Sequence, residues 1–259
     1  MSVPFSVPFG QPVTPTFAFK MLGLVNIVFA TAKPELPMRS ALMIGFLLSS
    51  TASAEEAVTL GKLSAKYESN GKVAAVSSGI GDRGGVSYGS YQLTSKLGAA
   101  DRFAKKYYPD TLGKLKAGTD PFTSLWKEMA AKNPETLHKH EHEYIEETHY
   151  APQVKKIDKE LKTDLKGRSP TFRDVIWSTA VQHGPNTKIV IDSGRSLIKQ
   201  DGTIAEVTDE EWIDAIYAER GRKNDAGMLA HFPTNPNQKS LSDRFKNEHK
   251  DAIAALKKK

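Results

Sequence analysis

Residues 58–93 have the sequence VTLGKLSAKYESNGKVAAVSSGIGDRGGVSYGSYQL, and this stretch decides the fold. Its first third has an apolar face at helical spacing, which predicts a helix over residues 58–69. The apolar side chains at positions i, i+3 and i+7 are Leu60, Leu63 and Tyr67. Gly71 is placed to end that helix. The residues that follow, 73–93, are rich in Gly, Ser, Val and Tyr, which predicts a bent β-hairpin or an irregular sheet and not a helix.

Helical patterns return after the hairpin and account for most of the remaining chain. Asp201-Gly202 predicts a turn, with a small hairpin as one form of it. The expected fold class is therefore α+β and mainly α, in one domain with a small β element. The predicted helices cover residues 97–108, 122–132, 135–150 and 242–256, with two more that begin at Ser169-Pro170 and at the capping box Thr208-x-x-Glu211.

The composition is that of an ordinary soluble globular protein. The 259 residues are 39% hydrophobic and 25% charged. Cysteine is absent, which excludes a disulfide, a zinc–thiolate site, an iron–sulfur cluster and a thiol nucleophile. The net charge of +6 favours anionic partners such as nucleic acid, anionic lipid or bacterial cell wall, and it does not choose among them.

The first 54 residues differ from the rest and contain the three parts of an export signal. Met38-Arg39-Ser40 gives a positive start, residues 41–48 form a short apolar run, and Ala52-Ser53-Ala54 gives an A-x-A ending. We expect residues 38–54 to be a signal peptide that is cleaved after Ala54, with Met38 as the true start. The alternative is a membrane anchor built from this apolar run and an earlier one at residues 17–32.

Glu68 is the candidate catalytic acid. Cleavage of a glycosidic bond needs a carboxylic acid that is still protonated near neutral pH, and partial burial raises the pKa of such an acid. Glu68 lies near the end of the predicted helix, directly before a Gly-rich segment that suits one wall of a cleft. On position alone, a glutamate at a helix end is a solvated surface residue, so the assignment depends on neighbouring motifs.

Three motifs, in order, resemble those of goose-type lysozymes and bacterial lytic transglycosylases. Tyr67-Glu68-Ser69-Asn70-Gly71 resembles their Glu-Ser motif. Tyr88-Gly89-Ser90-Tyr91-Gln92-Leu93 is similar to their Gly-Leu-Met-Gln segment, which lines the cleft opposite the acid. Ala180-Val181-Gln182-His183-Gly184-Pro185 is similar to their Ala-Tyr-Asn-Ala-Gly helix end, which contacts the sugar. The resemblance implies a lysozyme-like fold over residues 55–259, the expected catalytic domain, with the hairpin as one wall of the cleft.

The segment around Asp82 departs from lytic transglycosylases, which act with a single glutamate. Residues 81–89 are similar instead to the Asp-bearing segment of chitosanases in the same superfamily, where that Asp is the general base. By resemblance, Asp82 activates water, which makes the chain a hydrolase. From the residues alone, Asp82 equally fits a turn residue that bonds local amides.

The resemblance thus assigns catalysis to Glu68 and Asp82 and substrate contact to two further groups of residues. These are Tyr88, Ser90, Tyr91 and Gln92 on the hairpin, and Gln182 and His183 at the helix end. Ordinary packing is the competing interpretation for the tyrosines, and a polar helix end for the last pair. No cofactor or metal is expected, because the histidines between residues 138 and 149 alternate with charged residues and fit a solvated face better than a zinc site.

The expected protein is a secreted or periplasmic enzyme that cleaves β-1,4 links of bacterial peptidoglycan, a lysozyme or a lytic transglycosylase. We expect a monomer with a polysaccharide substrate, no nucleic-acid partner and no stable membrane insertion after signal cleavage. One rival is a chitosanase-type hydrolase. Its cationic substrate needs an acidic cleft, whereas residues 55–259 hold 33 basic and 29 acidic residues, a net charge of +4. The other rival is a non-catalytic glycan-binding protein on the same scaffold.

Overall fold

Helices dominate the fold, as the sequence predicts. The computed structural model describes residues 60–68, 72–80, 84–200 and 202–258. In chain order the helices are α1 (Lys62–Glu68), α2 (Ala99–Tyr107), α3 (Asp120–Lys132), α4 (Pro134–Ile145), α5 (Ala151–Leu161), α6 (Pro170–His183), α7 (Ile189–Leu197), α8 (Asp209–Arg220) and α9 (Gln238–Leu256). A π-helical turn (Glu146–Tyr150) joins α4 to α5, and 3-10 turns lie at Leu112–Lys114, Leu165–Gly167 and Ile204–Glu206.

The β element is a two-stranded antiparallel hairpin between α1 and α2. Strand β1 (Ser87–Tyr88) pairs with β2 (Leu93–Thr94), with Ser87 opposite Thr94 and Tyr88 opposite Leu93. Val76 forms an isolated antiparallel bridge to Tyr88 on the other side of β1. The structure therefore confirms the α+β, mainly α fold class and the bent hairpin.

Local sequence signals fix several helix starts. The Ser169 hydroxyl accepts a hydrogen bond from the Phe172 amide at 3.1 Å, at the start of α6. Thr208 and Glu211 form the predicted capping box at the start of α8. After the turn at Gly202, whose amide donates to the Lys199 carbonyl at 2.9 Å, the chain forms a 3-10 turn and no hairpin.

Two helices, α5 and α7, were not predicted, and each has a misleading residue. The predicted helix over residues 135–150 stops ahead of Pro152, yet the chain continues through the π-helical turn into α5, where proline is tolerated in the first turn. Helix α7 contains Gly194, which lowers helix propensity. A methyl group there would lie 2.8 Å from a Trp212 ring carbon, so close helix packing requires the glycine.

Helix α6 lies between two apolar clusters and is buried on nearly all sides. The larger cluster joins α6 through Ile176 to Trp212 of α8 and Phe245 of α9. The smaller one joins α6 through Trp177 to the hairpin residue Tyr88 and to Trp126 of α3. This central helix therefore connects the α1–α9 side of the fold to the hairpin side.

The predicted leader, residues 1–54, lies outside the described residues, and so do the signal peptide at residues 38–54 and the apolar segment at residues 17–32. Among the helices that the structure describes, none is long and apolar enough to cross a membrane. The division of the chain at residue 54 stays a prediction.

Candidate functional site

Helix α1, which ends at Glu68, is held at its start by a buried acid on α6. The Asp174 carboxylate accepts hydrogen bonds from the backbone amides of Gly61 and of Leu63, the latter at 3.1 Å. These two amides have no partner within their own helix, so the carboxylate caps α1 from another element. Burial raises the pKa of Asp174 to about 6, although both amide hydrogen bonds act to lower it.

The end of α1 is held by α9. Lys66 Nζ and the Tyr67 hydroxyl both donate to Asp251 Oδ2, each at 2.5 Å. The guanidinium of Arg244 lies 5.8 Å from the centroid of the Tyr67 ring. The helix that ends at Glu68 is therefore fixed at both ends by residues more than 100 positions away in sequence.

Beneath this end of α1, the fully buried Glu248 of α9 is the centre of an ion cluster. Arg220 of α8 donates to its two oxygens at 3.2 and 3.3 Å, and Arg244 Nε lies 3.5 Å from Oε2. The Ser178 hydroxyl on α6 also donates to Glu248. Burial opposes ionisation, but the two arginines outweigh it and lower the pKa of Glu248. The cluster fixes the mutual orientation of α6, α8 and α9.

Helices α1 and α6 run in the same direction. On α6, Asp174 contacts the start of α1. One turn later, Ser178 contacts Glu248 of α9. Three residues further along α9, Asp251 contacts Tyr67 at the end of α1. The C-terminal end of α6 therefore lies toward the end of α1. This arrangement places Gln182 and His183 on the same side of the fold as Glu68.

Gln182 and His183 are half-buried at the end of α6. The His183 ring packs against Phe232 and Phe245, with centroids 4.9 and 5.8 Å apart. Burial, with the nearby charge of Arg220, lowers the pKa of His183 to about 2, so the imidazole is neutral. Its Nε2, like Oε1 of Gln182, has no hydrogen-bond partner among the described residues. Both atoms are buried in this conformation, so direct contact of Gln182 and His183 with a substrate stays a prediction.

Asp82 belongs to a loop whose two ends are joined. The Ser77 amide donates to the Ser87 carbonyl at 2.9 Å, and the Ser87 amide donates to the Ser77 hydroxyl at 2.9 Å. Asp82 itself lies outside the described residues, and for Glu68 only the backbone, as the last residue of α1, is described. The proposed catalytic roles of these two carboxyls stay predictions.

The hairpin side chains differ in position from the sequence expectation. Tyr88 and Ser90 are wholly inaccessible to solvent, and Tyr91 is 5% exposed. The Tyr88 hydroxyl lies 2.8 Å from Thr123 Oγ1 on α3, and the Tyr91 hydroxyl lies 2.9 Å from His142 Nδ1 on α4. In this conformation these side chains hold the hairpin on the body of the protein and do not face a sugar. The prediction that Tyr88, Ser90 and Tyr91 contact the substrate directly does not hold in this conformation, because their polar atoms are directed inward.

Gln92 is the hairpin residue best placed for substrate contact. It is half-buried and adopts a left-handed backbone conformation, with φ of 51°. Its Nε2 donates to the Gly89 carbonyl at 2.9 Å, which closes the turn between the strands. Its role in binding stays a prediction.

An open groove of about 670 Å³ lies beside the end of α1. Tyr67 forms one side, and the segment from Pro236 to Asn247, which includes the first half of α9, forms the other. The lining includes two cations, Lys239 and Arg244, and one acid, Asp243, which pairs with Lys239 at 2.6 Å. The groove is therefore not acidic.

Comparison with solved structures identifies the fold. A chitosanase from Bacillus subtilis MY002, a glutamate-to-alanine mutant in complex with six glucosamine units, superposes with a TM-score of 0.54 at 14% sequence identity, over 78% of this chain and 90% of that one. A native chitosanase from Bacillus subtilis MY002 gives 0.49 at 16% identity, over 80% and 89%. A GH46 chitosanase of Gynuella sunshinyii with chitotetraose also gives 0.49, at 13% identity, over 82% and 89%. The first similarity shows that the chain has the lysozyme-like fold of a chitosanase.

The family model of the type VI secretion system spike protein VgrG3-like C-terminal region matches residues 60–249. The chain belongs to this family. The type VI secretion system spike protein VgrG3 of Vibrio cholerae serotype O1 is 33% identical over 143 residues, which is 52% of this chain. The chain spans only 13% of the length of that relative. The family match begins at residue 60 and includes α1, the hairpin and the whole helical body up to His249 of α9.

The histidine-rich segment of α4 is packed against other elements. The Nδ1 atoms of His138 and His140 lie 2.9 and 2.8 Å from the hydroxyls of Ser90 and Tyr108, and Glu141, which follows His140, is fully buried. The solvated-face interpretation of this segment is therefore wrong for the buried Glu141 and for the half-buried histidines. In the part of the chain that the structure describes, no group of three or more His, Asp or Glu side chains is arranged to hold a metal ion.

Three buried acids were not identified from the sequence, namely Glu141, Asp174 and Glu248. Asp174 is the only acid of α6 and directly precedes the apolar run Val175-Ile176-Trp177, which is a signal that could have been used. Glu141 and Glu248 have charged neighbours in sequence and resemble surface residues. Their burial depends on contacts with distant elements, which no local pattern reveals.

Proposed function

We propose that this chain is an exported enzyme that cleaves β-1,4 glycosidic bonds of bacterial peptidoglycan, with Glu68 as the general acid. One observation supports this most directly. The helix that ends at Glu68 is fixed at both ends by Asp174 and Asp251 and borders an open groove. A carboxyl group in such a place meets the requirement for a positioned acid beside a polymer-binding surface. Membership of the VgrG3-like family and the chitosanase-like fold are consistent with this assignment.

In the proposed mechanism, Glu68 protonates the glycosidic oxygen as the bond to the anomeric carbon breaks. Asp82, on the loop closed by Ser77 and Ser87, accepts a proton from the water that attacks that carbon. Gln92 from the hairpin and Gln182 and His183 from α6 contact the sugar.

The balance of charge favours peptidoglycan over chitosan. Residues 55–259 have a net charge of +4, which suits an anionic polymer, whereas chitosan is cationic and needs an acidic cleft. In the groove itself, Lys239 pairs with Asp243 and Arg244 with Glu248, so these cations add no preference of their own. Chitosan remains the second candidate, because residues 81–89 resemble the Asp-bearing segment of chitosanases.

The Asp82→Asn variant distinguishes hydrolysis from a single-acid reaction. We expect its rate of peptidoglycan cleavage to fall by about 10²–10³-fold, because asparagine does not accept the proton of the attacking water. The measurement is the rate of release of soluble fragments, with their masses determined. Asp225→Asn, a change at an exposed aspartate, is the matched control. If Asp82→Asn cleaves at nearly the wild-type rate and releases anhydro-sugar products, the enzyme is a lytic transglycosylase.

We further propose that residues 38–54 direct export. Expression of the chain in a bacterium that exports proteins through the general secretory route is expected to give a periplasmic product that begins at Glu55. Sequencing of its N-terminus checks this. A product that retains residues 38–54 and stays in the cytoplasm argues against a signal peptide, and the type VI secretion route of the Vibrio relative then becomes the better explanation.

A further inference from the structure

Glu141 on α4 is a fully buried carboxyl that the proposed mechanism does not use. Asp174 binds two backbone amides and Glu248 pairs with arginines, but no lysine or arginine among the described residues forms an ion pair with Glu141. Its hydrogen bonds come from the hairpin. Ser90 donates to Glu141 Oε2 through its backbone amide, at 3.3 Å, and its hydroxyl lies 2.7 Å from the same oxygen.

The hydroxyl of Ser90 also lies 2.9 Å from His138 Nδ1, which completes a row of carboxyl, hydroxyl and imidazole. Ser90 stands between the acid and the imidazole and is inaccessible, so this is not the arrangement of an activated nucleophile. With Glu141 protonated, the carboxyl donates to Ser90 and Ser90 donates to His138. Each proton in this neutral row then has an acceptor. His138 is half-buried, so the row extends from the interior toward solvent.

We propose that protonated Glu141 is a positioning residue that holds the turn at Gly89–Gln92 through Ser90, and that its ionisation at alkaline pH releases this turn. A charged Glu141 has no cation to compensate it in the interior, so the hairpin must open to admit water. Burial raises the pKa of Glu141 to about 8, although the amides of Ser90 and Tyr91 act to lower it. The release is therefore expected within the accessible alkaline range.

Contact between the carboxyl and the turn is close. A methyl group on Gly89, which has φ of 75°, would lie 1.8 Å from Glu141 Oε1, so the carboxyl lies directly against the backbone of the turn. The Gly89 amide donates to the Ala75 carbonyl at 2.8 Å, and β1 begins at Ser87, which closes the loop that contains Asp82. Ionisation of Glu141 is therefore expected to loosen the segment before Asp82, at Ala75 and Ser77, and the segment after it, at Ser87 and Gly89.

Other titratable groups face the same region. Tyr91 of the hairpin and Tyr108, which follows α2, both have a raised pKa, first from burial and then from the charge of Glu141. On α4, His138, His140 and His142 adjoin Glu141, and burial lowers the pKa of His138. Trp126 of α3 completes the surroundings and does not titrate. Among these described groups, it is Glu141 whose pKa burial brings to about 8.

A glutamate in the unfolded chain ionises near pH 4.5, and Glu141 in the folded chain ionises near pH 8. The unfolded state therefore binds fewer protons between these values, and the free energy of unfolding decreases as pH rises from about 4.5 to about 8. The Glu141→Gln variant replaces the protonated carboxyl by a neutral amide, whose nitrogen donates to the Ser90 hydroxyl but cannot also accept the Ser90 backbone amide. It should lack this pH dependence.

Hydrogen–deuterium exchange of the full chain tests the proposal, with rates corrected for the intrinsic pH dependence of exchange. In the wild type, protection of the amides of Ser77, Gly89 and Ser95 is expected to fall by up to about tenfold as pH rises from 7 to 8 and to level off above that, because opening releases a proton only while Glu141 is protonated in the closed form. In Glu141→Gln it should stay constant from pH 7 to 9.5. The matched control is Glu143→Gln, at a half-buried glutamate two residues along α4, which should behave as the wild type.

The proposal would be overturned if the protection of these amides in the wild type stayed constant up to pH 9.5. It would also be overturned if their protection fell with pH as steeply in Glu141→Gln as in the wild type. If Glu141→Gln does not fold, the wild-type profile alone decides. The activity arm rests on the proposed function: the ratio of peptidoglycan cleavage at pH 9 to that at pH 7 should be several-fold higher in Glu141→Gln. If neither protein cleaves peptidoglycan, the proposed function fails, while the exchange data still decide the role of Glu141.

Discussion

A chain with Glu68→Gln is expected to bind peptidoglycan like the wild type and to cleave it about 10²–10⁴-fold more slowly, because glutamine lacks the acidic proton that the leaving oxygen needs. The change is nearly isosteric, and Glu68 is the last residue of α1, so the hydrogen bonds of Asp174 and Asp251 to this helix should persist. The cleavage rate is measured as the loss of turbidity of purified cell-wall sacculi, and binding is measured by co-sedimentation with the same sacculi.

Glu135→Gln is the matched control, since Glu135 is exposed in the first turn of α4, and its cleavage rate should be unchanged. A Glu68→Gln chain that cleaves at the wild-type rate would show that another group is the acid. If the wild type binds sacculi and neither protein cleaves them, the scaffold acts as a glycan-binding protein.

The Gly89→Ala variant is expected to lose about 2–5 kcal/mol of stability, or to fail to fold. The added methyl group would lie 1.8 Å from Glu141 Oε1 and 2.7 Å from a Trp126 ring carbon, both fully buried. Gly89 also has a positive φ of 75°, which costs an alanine about 1–2 kcal/mol in addition to the cost of overpacking. The free energy of unfolding is measured by urea titration, with activity as a second readout.

Gly167→Ala is the control for this change, because a methyl group at Gly167 meets no atom within 4 Å and the residue has no positive φ. Its free energy of unfolding should differ from that of the wild type by less than about 0.5 kcal/mol. Equal stability of Gly89→Ala and Gly167→Ala would contradict the close packing of Glu141 beneath the hairpin.

Local periodicity was sufficient to predict the elements next to the candidate site. Spacing at i, i+3 and i+7 predicted a helix over residues 58–69, which includes the observed α1, and the Gly-rich stretch predicted the hairpin. Side-chain caps at Ser169 and Thr208 correctly located the starts of α6 and α8. Such features depend on neighbours in sequence and are visible without the fold.

The residues that fix these elements in space were not predictable in the same way. Asp174 and Asp251 bind α1 from positions more than 100 residues away, and Glu248 is buried only because two arginines lie beside it. The inward direction of Tyr88 and Ser90 was also missed. Alternation along a strand shows which residues share a face, but it does not show which face is covered by α3 and α4.

The central claim, that this chain cleaves glycosidic bonds of peptidoglycan, is tested most directly by mass spectrometry of the products that it releases from purified sacculi, with chitosan digested in parallel. The account predicts disaccharide peptides with a reducing-end sugar from sacculi, their loss with Glu68→Gln, and little or no product from chitosan. Release of oligosaccharides from chitosan with intact sacculi would contradict the substrate assignment, and no product from either polymer would contradict the enzymatic one.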